Sequence, residues 1–460
     1  MATPFASVIA TSGYGRAVPR PAFIAIVVCL ALAFVGFFPF ATDAQLFGQF
    51  NGAATRDPLI TLSSYLRYAL LVGATVGIVY YLVQSRGFPA RERLVTTIRE
   101  NPWLLLWMIL LATSFVYSPP VQSNPVNAIV QIMTLPAALF VVVYLGSSRN
   151  IVLALYWALA FCLVASFVGV ALLPDRSIHT VENQYIALSS ELRGMWRGTF
   201  AHKNIAGGFF MQLLLICTTF LIAGERRLLA LAIGIGAAIF VVYSGSMSSI
   251  FAPVGALLVA TPILARLRIA RLLPDLFTMA YIAFPFSVAL YLYQFGASFD
   301  SRDLIWQTAI TYSRGHLAFG HGYLNGFGTR EMAGVHGQMW MRFIGHAHSG
   351  VMDMFLYFGI LGLAGVYLTV RTVLWNYVRL FLEAGRGGVS RFDVAGLLVF
   401  LAATIRCMVE PDILTPRGGW LVMLIVGLLP SVQLWQRRMA SRAARPRNDD
   451  ASLFGQEAGI

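Results

Sequence analysis

Histidine occurs seven times in this 460-residue chain, and every copy falls in one of two polar loops. His179 and His202 lie within residues 174–203. His316, His321, His336, His346 and His348 lie within residues 296–349. An imidazole titrates near neutral pH and suits proton transfer. Its confinement to two loops, and its absence from every apolar stretch, predicts that the loops meet at one site.

Cations accompany the histidines. In the first loop Arg193, Arg197, His202 and Lys203, the only lysine in the chain, precede Asn204 and an apolar run from Ile205. Backbone N–H groups at a helix start there would add to a field favouring an anion. The same residues would equally suit contact with lipid headgroups. The second loop supplies Asp300-Ser301-Arg302-Asp303, with Leu304, Ile305, Ala309 and Ile310 on one face of a short helix. That pattern predicts a helix lying at the membrane surface, capped by Ser301 or Asp300. A glycine-rich turn, Phe319-Gly320-His321-Gly322-Tyr323, follows, and then Arg330, Arg342 and the pair His346 and His348. A guanidinium can grip a diphosphate through two parallel hydrogen bonds without a metal. For Arg302 the competing use is an ion pair with Asp300 or Asp303. The His346-x-His348 pair lacks neighbouring third and fourth ligands, so no metal or cofactor is expected. Asp353 falls just after the pair, where it would orient an imidazole or complement a helix dipole. Arg406 and Glu410, four residues apart in an apolar run, read as a structural ion pair on one helix face.

The elements that must position these loops are apolar. Hydrophobic residues make up 58% of the chain and charged residues 12%, against about 45–50% and 25% in soluble proteins. The fold class is therefore all-α, a polytopic membrane protein. About 12 spans follow from windows of roughly 19 residues: 22–40, 64–84, 102–118, 127–146, 151–173, 204–223, 227–243, 248–266, 276–295, 350–371, 392–410 and 418–435. Residues 1–435 form a single membrane domain with a large outer loop between spans 9 and 10, and 436–460 form a polar cytoplasmic tail expected to be disordered. The net charge of +13 collects in alternate loops, at Arg91, Arg93 and Arg99, at Arg226 and Arg227, at Arg266, Arg268 and Arg271, and in the tail. It is thus a topology signal that places both termini in the cytoplasm and both histidine loops outside, with no nucleic acid as partner. The four cysteines all lie in apolar runs, which argues against disulfides.

Taken together, Trp196-Arg197-Gly198-Thr199-Phe200-Ala201-His202-Lys203-Asn204, Ser301-Arg302 with Trp306, Phe319-Gly320-His321-Gly322, and His348-Ser349-Gly350 with Gly359 downstream resemble the O-antigen ligase and Wzy-type polymerase superfamily. The His-Lys-Asn wording and the Gly350-x-x-Asp353 that follows His348 are most similar to ExoQ-like exopolysaccharide polymerases. The resemblance spans roughly residues 100–365, and departs from the family at Tyr357, where members often carry Glu.

The resemblance implies a metal-independent glycosyltransferase of the bacterial inner membrane, acting at the periplasmic face on an undecaprenyl-diphosphate-linked glycan. It implies Arg197 and Arg302 on the diphosphate and His348 as base. Arg193, His202, Lys203, Asn204, His321, His346 and Asp353 would line the substrate. A chain-length regulator and a flippase would be partners. Two fixed arginines would offset charge developing on the leaving diphosphate, and the imidazole would activate the acceptor hydroxyl. Alternatives are a ligase with a lipid A-core acceptor, a polysaccharide transporter, and a transferase whose base is Asp43 or Asp57. A transporter is disfavoured because its ionisable groups would sit near span midplanes. The topology is testable: a reporter fused after residue 330 should give a periplasmic signal, and a cytoplasmic signal would overturn the arrangement.

Overall fold

The computed structural model describes residues 18–35, 88–117, 125–179, 193–295, 302–323, 346–384, 389–414 and 419–443, and isolated positions between 69 and 80. Among these residues the regular secondary structure is helical. A lone antiparallel bridge joins Ile178 to Trp196. We number the helices α1 (Arg20–Val35), α2 (Phe88–Glu100), α3 (Trp103–Tyr117), α4 (Pro125–Leu145), α5 (Ser148–Leu172), α6 (Lys203–Ala223), α7 (Arg227–Ser244) and α8 (Met247–Leu264). They continue as α9 (Leu273–Phe295), α10 (Arg302–Tyr312), α11 (Gly350–Glu383), α12 (Arg391–Arg406) and α13 (Gly419–Ala443).

Seven of these, α5 to α9, α11 and α13, are long and apolar enough to cross a membrane. The chain is a helical membrane protein. α2 and α3 meet at a 75° bend and would make an eighth span if taken as one. α1 and α4 are apolar but shorter. The expected count of about 12 is therefore not reached among the described residues; most of the predicted span 64–84 and loop residues 324–345 lie outside them.

Several boundaries differ from expectation for identifiable reasons. α12 ends at Arg406, four residues before the predicted end of its span. Its 16 residues cover about 24 Å at 1.5 Å per residue, less than the ~30 Å of a hydrocarbon core. The turn that follows is consequently packed inside the protein, with Cys407, Glu410, Ile413 and Leu414 buried. α13 runs on to Ala443, so the first residues assigned to the tail are helical; residues 444–460 lie outside those described. α10 forms as predicted, but Ile305, Trp306, Thr308 and Ala309 are buried. It packs against α9 and α11. Its proposed caps, Asp300 and Ser301, fall outside the described residues.

Local chemistry sets the helix starts near the histidine loops. The Nδ1 of His202 accepts the N–H of Asn204 at 3.2 Å and caps α6. Ser349 Oγ accepts from Met352 N at 3.4 Å and caps α11. Each removes an orphan donor of the first turn. Ser390 and Asp393 form a reciprocal capping box at the start of α12.

α11 continues beyond the predicted residue 371 to Glu383, but it is broken at Gly359, whose φ is 60° and ψ −143°. Residues 317–322 occupy the break. His321 N donates to Leu356 O at 2.9 Å, Gly322 N donates to Tyr357 O at 2.8 Å, and Ile360 N donates to Leu317 O at 2.8 Å. Backbone groups freed by the break are thus satisfied by the loop, as an apolar surrounding demands. A Cβ on Gly359 would fall 2.2 Å from Leu317 O, in a backbone conformation that side chains rarely adopt. Gly359→Ala should therefore lower the thermal midpoint of the detergent-purified protein steeply, by about 3 kcal/mol of stability or more. Gly315→Ala, where an added Cβ meets nothing within 4 Å, should leave it within about 0.5 kcal/mol. Equal behaviour of the two variants would refute the account of the break.

Candidate functional site

Arg302 of the second histidine loop and Asn204, the residue directly after the first, both face the carboxylate of Glu410. Arg302, the first residue of α10, places Nη2 3.6 Å from Glu410 Oε1. Asn204, in the first turn of α6, donates from Nδ2 to the same oxygen at 2.9 Å. Ser248 at the start of α8 donates from Oγ to it at 3.5 Å. Glu410 is buried, and its backbone oxygen accepts the N–H of Gly350 at 3.0 Å. Four separate segments, at 204, 248, 302 and 350, are thereby pinned to one residue in the turn after α12.

The expected Arg406–Glu410 helix pair is replaced by a different arrangement. α12 stops at Arg406, so Glu410 lies in a turn and the four-residue spacing no longer puts the two on one face. Arg406 instead pairs with Asp412, donates to the backbone oxygen of Asn204, and reaches Ser249 Oγ at 3.3 Å. Gly208 makes room for it: a Cβ there would lie 2.7 Å from Arg406 Cζ. Glu410 and Asp412 thus each face one arginine, which makes burying Arg406 and Glu410 tolerable.

The His346-Ala347-His348 segment is held from both sides. Buried Trp306 of α10 donates from Nε1 to Ala347 O at 2.8 Å. Asp353 Oδ1 accepts the N–H of Ala347 at 2.6 Å. Asp353 therefore fixes the backbone between the two histidines. His346 Nδ1 accepts the N–H of His348 at 3.2 Å, and the two rings pack edge-on with centroids 4.3 Å apart. His348 has φ 53°, a left-handed conformation that costs a side-chain-bearing residue roughly 1–2 kcal/mol. Backbone strain of this kind concentrates at sites where a side chain must be aimed. Both imidazoles remain partly exposed.

The remaining expected site residues distribute unevenly. Arg197 is wholly buried and donates from Nη1 to Phe200 O at 3.2 Å. Its loop is anchored by Trp196, which stacks on Tyr243 with centroids 4.4 Å apart. Lys203 donates from its backbone to His179 Nε2 at 3.3 Å and from Nζ to Met195 Sδ at 2.8 Å. Arg193 is exposed. His202 packs against His179, with ring centroids 5.3 Å apart. His179, His202 and His346 each use one ring nitrogen to accept a backbone N–H, so part of the histidine content serves loop geometry.

His321 belongs to a separate cluster. It stacks on Tyr312 at 4.1 Å between centroids and lies beside His316 at 4.3 Å. Tyr312 is the last residue of α10 and Arg302 the first, so about 15 Å of helix separates this stack from Glu410. The residues that sequence reasoning passed over are Asp412 and Ser248. Glu410 carried a signal, as a carboxylate in an apolar run, but was matched to the wrong arginine. Asp393, at the start of α12, belongs to the capping box.

No protein-family model and no curated protein sequence matches this chain.

Burial, reinforced by the neighbouring His316, pushes the His321 imidazole down to about 4. The unfolded chain therefore takes up a proton at this residue before the folded one does. Stability contributed by neutral His321 is present above about 6.5 and is lost as pH falls toward about 4. His321→Phe keeps a ring in the stack and removes the titration. The thermal midpoint of the wild type should drop more than that of His321→Phe between pH 7 and pH 5, and parallel drops would exclude the effect.

Proposed function

We propose that this protein is a glycosyltransferase of bacterial surface-polysaccharide assembly. In this reading it polymerises undecaprenyl-diphosphate-linked repeat units of an exopolysaccharide at the outer face of the cytoplasmic membrane. The observation that carries the reading is that Arg302 and Asn204 both face the Glu410 carboxylate, while the backbone of the same Glu410 holds Gly350, two residues after the strained His348. A cation suited to a diphosphate and an imidazole suited to a hydroxyl are thereby tied to the same turn.

In this mechanism Arg302 receives the donor diphosphate and offsets the charge that develops on its bridging oxygen as the sugar–phosphate bond breaks. Arg197 stands wholly buried within the first loop, where it holds the backbone at Phe200. His348 takes the proton of the attacking sugar hydroxyl. Trp306 and Asp353 hold the backbone of the preceding Ala347, and His346 packs against the His348 ring. Glu410, held by Asn204, faces Arg302 at 3.6 Å. The topology proposed with this reading has both termini in the cytoplasm and about 12 spans. A ligase would use the same donor groups and differ only in its acceptor.

The test uses purified protein in detergent with a bactoprenol-diphosphate repeat unit as the sole substrate. A ladder of lengthening glycans supports the polymerase. Transfer only after addition of a lipid A-core acceptor would replace it by the ligase, and no transfer under either condition would overturn the glycosyltransferase reading. His348→Asn tolerates the left-handed backbone and removes the imidazole. It and Arg302→Gln should each reduce the ladder by about 100-fold or more, with membrane abundance near normal.

A further inference from the structure

Glu410 occupies the place where an anion is wanted. It is a carboxylate on the inner side of Arg302, in the same small volume where a donor diphosphate would meet that guanidinium. The two are unequally committed. The Glu410 side chain is 5% exposed and Arg302 18%. Asn204 contacts Glu410 Oε1 at 2.9 Å, whereas the arginine stands at 3.6 Å. A charge-assisted N–H···O bond ordinarily closes to about 2.7–2.9 Å, and a guanidinium has five donors to offer. The Arg302 contact is therefore a slack ion pair, with most of its capacity unspent on Glu410. Glu410 is less dependent on it. With Arg302 withdrawn, the carboxylate keeps Asn204 Nδ2 and Ser248 Oγ, and its backbone stays bonded to Gly350. Arg406 does not need Glu410, because Asp412 already pairs with it.

We propose that Glu410 is a positioning residue that stands in for the diphosphate. It holds Arg302 at the site when the site is empty, gives it up when the donor binds, and competes to take it back when the diphosphate product leaves. This rests on the diphosphate-binding reading of the site. Its use is kinetic. A buried guanidinium without a resident anion would hold product as firmly as donor, and ground-state affinity of that kind does not raise turnover. An intramolecular carboxylate lowers affinity for every diphosphate that passes, and restores the empty geometry after each transfer.

The experiment is calorimetric titration of the full-length protein in detergent with inorganic pyrophosphate. Glu410→Gln keeps an oxygen for Asn204 and Ser248 while removing the charge. It should bind pyrophosphate about 10-fold tighter than wild type. In the ladder assay KM for the donor should fall together with kcat. A residue that merely braced the fold would give weaker or equal binding, and that result overturns the proposal. In an Arg302→Gln background the further change Glu410→Gln should produce no tightening, since the competition requires the arginine; tightening there would also overturn it. If Glu410→Gln does not accumulate, Glu410→Asp draws the carboxylate back by one methylene and should tighten binding about threefold, with no tightening again a refutation. Failure of the wild type to bind pyrophosphate would remove the diphosphate site itself. Binding by the wild type with no gain in the variants removes only the role given to Glu410.

Discussion

A charge enclosed in an apolar helix bundle must be paired, and the structure around Glu410 follows from that requirement. An isolated carboxylate would cost several kcal/mol to bury. Supplying its partners brings α6, α8 and α10 to the end of α12, because Asn204, Ser248 and Arg302 each contribute a donor. Its backbone carbonyl fixes Gly350, and hence the start of α11. The histidine segment then follows mechanically. Ala347 lies between Trp306 on α10 and Asp353 on α11, so His346 and His348 stand where those two helices put them.

The break in α11 belongs to the same economy of polar groups. A helix that starts at the site and continues to Glu383 would normally be closed along its length. At Gly359 it opens, and residues 317–322 enter to bond the freed groups. This fixes the loop after α10 to the middle of a spanning helix. α10 is thereby anchored at both ends, by Arg302 at one and by the inserted loop at the other. That double anchoring gives Arg302 a defined approach to Glu410.

How much of this was legible from the chain depends on which interactions are local. The histidine distribution pointed to two loops sharing a site; what the structure brings to one carboxylate is Arg302 of the second loop and Asn204, the residue after the first. α10 and its buried face were readable from the spacing of Leu304, Ile305, Ala309 and Ile310. Its burial against α9 and α11 was not, since an apolar face reads the same toward lipid as toward protein. Arg406 and Glu410 were misassigned because a four-residue spacing implies contact only while the helix lasts, and nothing apolar marks its end at Arg406. Gly359 was visible as a spacing feature, but no local rule announces that a loop more than thirty residues upstream will complete a broken helix.

The two ends of the bundle show what distinguishes a brace from a site. Far from Glu410, at the other end of α11, Glu100 holds Arg379 at 2.9 Å and Arg438 at 2.8 Å, joining α2, α11 and α13. One carboxylate there satisfies two guanidinium groups at hydrogen-bonding distance, a geometry with nothing left to offer a ligand. At the histidine end the ratio is reversed in effect. Two carboxylates, Glu410 and Asp412, serve Arg302 and Arg406, yet the Arg302 contact is drawn out to 3.6 Å. The same pairing chemistry thus closes one end and leaves a guanidinium incompletely engaged at the other. A bundle held only for stability would have no reason to treat its ends differently. In the proposed reading, the slack at Arg302 is room for an incoming anion.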